Sequence, residues 1–261
     1  MFTKENAVKY VECLLNLKHH IAGARFINTK EEYDALSVPE YKGTMCMIGR
    51  KGVDGDHVKA DATNVVCDYG AYAVGIKTPH QSIRFGRSYA DCGLYNGKTV
   101  AREIVESMHF LDQEIHGIET GAVSDIENPD LVYIMCDPRQ AMIIFQGYAY
   151  KYGNPEHLSF FGNQATCADL LSKPFYNNDI NLSLFCEGTR KYGHYTPDEL
   201  GVSMPYAMFE DVCYGVYKVI DPVLNFKEKK EASERLAEHG LTYDFSNFSY
   251  GDALIAHDSK L

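Results

Sequence analysis

The sequence predicts an α/β or α+β protein, a mixed sheet with flanking helices arranged as two pseudo-related halves. Three observations carry this. Short apolar runs of strand length, LVYIMC (131–136) foremost, alternate with longer segments whose apolar residues recur at helical spacing. The stretches between strand-like runs are long enough for crossovers, so part of the sheet is expected to be parallel. No Pro- or Ser-rich linker interrupts the chain. The halves, 1–120 and 121–261, should therefore meet in the turn-rich stretch DQEIHGIETGAVSDIENPD (112–130), as fused units or within one compact domain.

Each element has its own local reason. Over residues 3–18, Ala7, Val8, Val11, Leu14 and Leu15 form one helical stripe, with Thr3 placed to cap it. HIAGARFIN (20–28) suits a strand. Gly70 and Gly75 beside Cys67 mark a turn or a close backbone approach. GKTVAREIVESMHFL (97–111) is amphipathic, with Val100, Ile104, Val105 and Met108 on one side. LVYIMC is a buried strand, and a helix follows it with Asp137 as N-cap, Pro138 in the first turn and Gly153 as the stop. HLSFFGN (157–163) reads as a strand, QATCADLLS (164–172) as a short helix and NDINLSLFC (178–186) as a strand ending at Cys186. SMPYAMFEDVCYGVYKVI (203–220) is a helix begun by Pro205, and FKEKKEASERLAEHG (226–240) is a charged helix expected to face solvent.

With 261 residues, 45% hydrophobic and 23% charged, the composition is that of an ordinary folded chain with ample core. A net charge of −11 argues against an extended basic face for nucleic acid or anionic lipid. No run approaches the roughly 18–20 apolar residues of a membrane span, and charges at Lys4, Glu5, Lys9 and Glu12 interrupt any signal-like segment. The expected setting is the cytoplasm, and the expected partner a small anionic molecule; a homo-oligomer or a redox protein partner would fit the same composition. In a reducing compartment the eight cysteines are free thiols or metal ligands rather than disulfides.

Two of these cysteines stand in echoed segments. TMCMIGRKG (44–52) places Cys46 four residues before Arg50 and Lys51; SLFCEGTRKYG (183–193) places Cys186 four before Arg190 and Lys191. Each half also holds a second cysteine about twenty residues away, Cys67 in the first and Cys167 in the second, in opposite order, so tandem duplication does not account for the pattern.

DPRQAM (137–142), Cys167, Pro174-Phe175, and Cys186 with Gly188 and Arg190 resemble the second half of the DUF169 proteins, also called archaeal ArCR. Cys46 with Arg50 and Gly52, then Cys67 and Gly70, resemble its first half. The resemblance covers most of residues 1–220 and implies that the four cysteines are family positions; it implies no reaction. Asp68-Tyr69 and the basic, aromatic segment PHQSIRFGRSYADCG (79–93) depart from the family pattern.

Four thiols, two from each half, are the number that holds a [4Fe–4S] cluster or a structural zinc, with the cluster preferred. Cys46, Cys67, Cys167 and Cys186 are the candidate ligands, although no CxxC knuckle is present. Arg50 and Arg190 would hold an anionic substrate beside them for a redox or lyase-type reaction, with His80 as a general base. Arg84, Arg87 and Tyr89 form a second candidate surface, for an anionic aromatic ligand or as a lid. The rival reading is a metal-free small-molecule-binding or accessory protein whose cysteines fill the core. Cys13, Cys136 and Cys213 lie in apolar patterns and read as core residues. The sequence holds no GxGxxG after a strand, GxxxxGK[ST], HExxH or GxSxG.

Overall fold

The computed structural model describes residues 2–112, 114–250 and 252. Along the chain the elements run α1 (Ala7–Leu15), β1 (Ala22–Ile27), α2 (Lys30–Ala35), α3 (Met45–Val53), β2 (Val58–Asp61), α4 (Asp68–Ala73), α5 (Gln81–Arg84), α6 (Arg87–Asp91) and α7 (Lys98–Glu106). They continue with β3 (Gly117–Ala122), β4 (Leu131–Cys136), α8 (Pro138–Tyr152), a π-helix (Ala165–Ser172), α9 (Lys173–Asn177) and β5 (Asn181–Ser183). The last are α10 (Glu187–Gly193), β6 (Leu200–Pro205), α11 (Tyr206–Val223) and α12 (Phe226–Glu238). The predicted class, helices flanking one sheet, is the class observed.

The chain forms two compact units, and neither is continuous. One gathers the described residues up to Lys18, Cys136–Pro155 and the described residues from Ala207 onward; the other gathers His19–Met135 and Glu156–Tyr206. Both draw on both halves of the sequence, and the boundary expected at 120/121 falls inside β3.

The second unit contains the sheet, in the order β2-β3-β1-β4-β6-β5. It is antiparallel, where crossover length suggested a parallel part. β1 runs against β3 from Ala22↔Ala122 to Ile27↔Gly117, and against β4 from Ala22↔Tyr133 to Ala24↔Leu131. The Tyr206 N–H that follows β6 donates to the Asp130 carbonyl that precedes β4 (2.9 Å), tying the end of one strand to the start of the other.

Small residues decide how closely α3 lies on this sheet. A Cβ at Gly52 would collide with Tyr133 Oη and Thr120 Oγ1, so the helix approaches only because that position is bare. The space is filled by hydroxyls: Tyr133 Oη donates to the Gly49 carbonyl (3.0 Å), and Thr120 Oγ1 donates to the Gly23 carbonyl (2.8 Å). Around them Ala22, Ala24, Met45, Ile48, Leu131, Leu170 and Leu171 form the buried core. This contact fixes where α3 presents Cys46.

The first unit is helical. Ala7, Val11, Leu14 and Leu15 of α1 are buried as the stripe predicted, Val8 is only half-buried, and Tyr10 and Cys13 join the buried face; Arg235 of α12 donates to the Cys13 carbonyl (2.7 Å). Asp137 caps α8 by accepting from the Gln140 N–H (2.8 Å), with Pro138 in the first turn and Gly153 at the end, as read from sequence. The charged helix α12 is not wholly solvated: Lys229, Ala232 and Leu236 are buried, and Lys229 Nζ bonds Asp221 (2.6 Å) and the Ser246 carbonyl (3.0 Å).

Three local expectations are corrected. HLSFFGN is not a strand; the Ser159 N–H and carbonyl are taken by the side chains of Asn181 and Lys173 instead of a ladder (3.0 Å each). Residues 165–172 form a π-helix, in which the Asp169 N–H reaches back five residues to the Gln164 carbonyl (3.3 Å). Ser203, Met204 and Pro205 close β6, and the helix begins at Tyr206.

Candidate functional site

All four predicted cysteines lie in the sheet-bearing unit, each at the N-terminal end of a helix. Cys46 is in the first turn of α3, which Thr44 caps by accepting from the Met47 N–H (3.3 Å). Cys67 and Cys186 are the N-cap residues of α4 and α10, and Cys167 is the third residue of the π-helix. The echoed CxxxRK segments are thus two short helices of one design, cysteine at the start and basic pair in the last turn.

A hydroxyl connects them. Thr189 Oγ1 lies 3.4 Å from Cys46 Sγ, 3.3 Å from Cys186 Sγ and 3.0 Å from Thr166 Oγ1, so the two sulfurs are one hydroxyl apart. Cys186 Sγ also accepts from the Thr189 N–H (3.4 Å). Cys167 Sγ donates to Gln164 Oε1 (2.9 Å), and Gln164 Nε2 donates to Tyr89 Oη. Gln164 holds this position with a left-handed backbone, φ 56°, a conformation disfavoured for side chains and often kept at functional sites.

The thiols sense one another. Burial first, then Cys46, Cys186, Cys67 and Asp169, pushes the Cys167 thiol well above its ordinary range. Burial likewise raises Cys46 to about 11, with Cys186 and Cys67 adding to the rise while bonds to Thr189 and Thr166 oppose it. Both are therefore protonated at neutral pH. Among the described residues, no three His, Cys, Asp or Glu groups are set to hold one metal ion.

Arg50 and Arg190 border this centre but are committed to the protein. Arg50 bonds Asp54 (2.8 Å) and the Gly193 carbonyl (3.2 Å), and it stacks over the Tyr195 ring. Arg190 bonds the carbonyls of Thr196 (2.5 Å), Glu199 (3.3 Å) and Leu184 (2.8 Å). Both fasten the turns around α10. Beside them the buried Tyr195 hydroxyl has no hydrogen-bond partner among the described residues, and the same holds for Asn163 Nδ2 next to Gln164.

A sequence model of DUF169, described as uncharacterised ArCR, matches residues 11–215. The chain belongs to the DUF169 family. It is also 26% identical over 215 residues to an uncharacterised protein of Methanocaldococcus jannaschii, a match that covers 80% of this chain and 91% of that one. No solved structure matches it.

In this DUF169 chain the segment 79–93 is not a loop; it carries α5 and α6. His80 caps α5, its Nδ1 accepting from the Ser82 N–H (3.2 Å). Arg84 pairs with Asp112 (3.1 Å) and Arg87 with Asp91 (3.4 Å), all of them exposed. Of His80, Arg84, Arg87 and Tyr89, Tyr89 is the one that is buried, joined to Cys167 through Gln164. The segment that departs most from the DUF169 pattern therefore contributes one residue to the cysteine centre.

Thr166, Thr189, Gln164 and Tyr195 were not read from sequence. Thr189 left a signal, since a residue three after an N-cap cysteine meets it across the first turn. Gln164 and Tyr195 left none, because their roles come from a left-handed backbone and from tertiary packing. Cys13, Cys136 and Cys213 are buried, as expected of core cysteines, and Cys92 is exposed.

Proposed function

We propose that this DUF169 protein holds a metal–sulfur group on Cys46, Cys67, Cys167 and Cys186, an iron–sulfur cluster in preference to zinc. The observation that carries the reading is that the four cysteines stand at four separate helix starts of one unit, with Cys46 and Cys186 on either side of the Thr189 hydroxyl (3.4 and 3.3 Å) and Cys167 near enough to feel the charges of Cys46, Cys186 and Cys67. A single zinc ion needs its sulfurs about 2.3 Å from one point. A cluster distributes its thiolates over several irons and suits sulfurs separated by a threonine hydroxyl. Helix N-termini favour the thiolate form that any ligand must adopt. Loading would expel the protons that burial keeps on Cys46 and Cys167, so metal affinity would rise with pH. When bound, such a group supplies electron transfer or a Lewis-acidic iron, and a redox or lyase-type reaction on a small anionic substrate is the enzymatic form of the reading.

A second reading has its own support. Cys46, Cys186 and Cys167 already have hydrogen-bond partners within the protein, as a metal-free packed core would give them.

One experiment separates the two. The chain is purified without oxygen and assayed for iron, sulfide and zinc on one sample, beside Cys167→Ser. About four irons and matching sulfide per chain, lost in Cys167→Ser, is the outcome the cluster reading expects. Metal-free protein in both samples overturns it and leaves the metal-free reading.

A further inference from the structure

Away from the cysteines, the sheet-bearing unit has a cleft of about 220 Å³ where the end of α7 meets α9. One wall is aromatic. His109 and Tyr176 stack with ring centroids 4.4 Å apart and planes 6° from parallel, and Phe110 lies beside them. Tyr176 is 63% exposed, so it keeps much of its surface available to a guest despite the stack. His109 takes a left-handed backbone, φ 50°, to make this stack. Burial, with Lys173 and His157 nearby, keeps its ring below the usual histidine range and uncharged at neutral pH.

The other wall is ionic. Arg84 and Asp112, which both line the cleft, form an exposed pair (3.1 Å). Glu106 also lines the cleft, and its charge is answered by Arg102 (2.6 Å). The lining thus offers one cation and one anion to a guest, beside a flat apolar surface. An exposed pair contributes little to stability and opens readily. A lone carboxylate would satisfy Arg84 and strand Asp112; a lone amine would do the reverse. A zwitterion inserted between them gives each a partner, with the guanidinium gripping its carboxylate in a two-pronged bond.

We propose that this cleft binds a small aromatic zwitterion of the amino-acid class, its carboxylate on Arg84, its ammonium on Asp112 and its ring against Tyr176 and Phe110. The volume is below the roughly 300–1,000 Å³ of pockets for drug-sized ligands and fits a single-ring compound. The floor of the cleft reaches toward the cysteines, since Val105 and Phe110 pack with Tyr89, which bonds Gln164 beside Cys167.

The test is calorimetric titration of the full chain with four probes: L-phenylalanine, 3-phenylpropionate, 2-phenylethylamine and glycine. Phenylalanine is expected to saturate one site and to bind about tenfold or more tightly than each of the others, which lack the ammonium, the carboxylate or the ring. Arg84→Ala and Tyr176→Ala are each expected to weaken it about tenfold while melting at the wild-type temperature. No saturable phenylalanine binding, a fragment that binds equally well, or unchanged affinity in both variants overturns the proposal. The titration is independent of iron content, so its outcome and that of the metal assay stand apart.

Discussion

Asp169 shows how much the π-helix rests on single side chains. Its carboxylate accepts from Lys173 Nζ (2.9 Å) and from Ser183 Oγ (3.0 Å), and both charged groups are almost wholly buried. Burial outweighs these partners and raises its carboxyl to about 6. A carboxyl raised in the folded state contributes stability that is complete below the unfolded value near 3.8 and is lost as pH rises through about 6, because the unfolded chain releases its proton first. The stability of the wild type relative to Asp169→Asn should therefore fall by an amount on the order of 2–3 kcal/mol between pH 4 and pH 6. Urea midpoints for both proteins at four pH values test this; a constant gap would show that Asp169 does not titrate in that window. At this scale the sequence was legible in part. Residue chemistry singled out four cysteines that the fold gathers in one unit, whereas nothing in CxxxRK reveals that Arg50 and Arg190 bond the carbonyls of Gly193, Leu184, Thr196 and Glu199.

At the scale of elements, legibility followed whether the signal was local. β4 and α8 were readable to the residue because Asp137, Pro138 and Gly153 act on their own neighbours. HLSFFGN was misread because three apolar side chains within seven residues cannot announce that Leu158 and Phe161 remain exposed. The π-helix was hidden because a bond reaching back five residues has no compositional mark. Helix contacts in the first unit were equally silent, and they supply a sharp prediction. The bare Cα of Gly215 in α11 lies against the Gly147 backbone of α8, and an added Cβ would overlap the Gly147 carbonyl. That obstacle is backbone and cannot swing aside. Gly215→Ala should force the two helices apart and destabilise the protein by about 1–3 kcal/mol or more. Thermal melting would register this as a drop of several degrees; an unchanged midpoint would mean that the helices are not held at this distance in solution.

At the scale of the whole molecule, the sheet and the helical unit are woven from alternating stretches of one chain. The sequence suggested a cut at 120/121, yet residues 1–120 contain β1 and β2, most of β3, and none of β4, β5 or β6. Such a fragment has no partner for the free edge of β1 and lacks Cys167 and Cys186. Expressed alone, 1–120 should show no cooperative urea transition, and a sigmoidal transition would restore the two-half view. The same weaving sets an order during synthesis. Everything the sheet needs has emerged once Tyr206 leaves the ribosome, whereas α1 and α8 wait for α11 and α12. α1 therefore precedes the sheet in synthesis but belongs to the unit that closes after it. Until then α1 and α8 have only each other, joined where Gln140 Nε2 donates to the Leu15 carbonyl (2.8 Å), and their remaining apolar surface is open to misassociation.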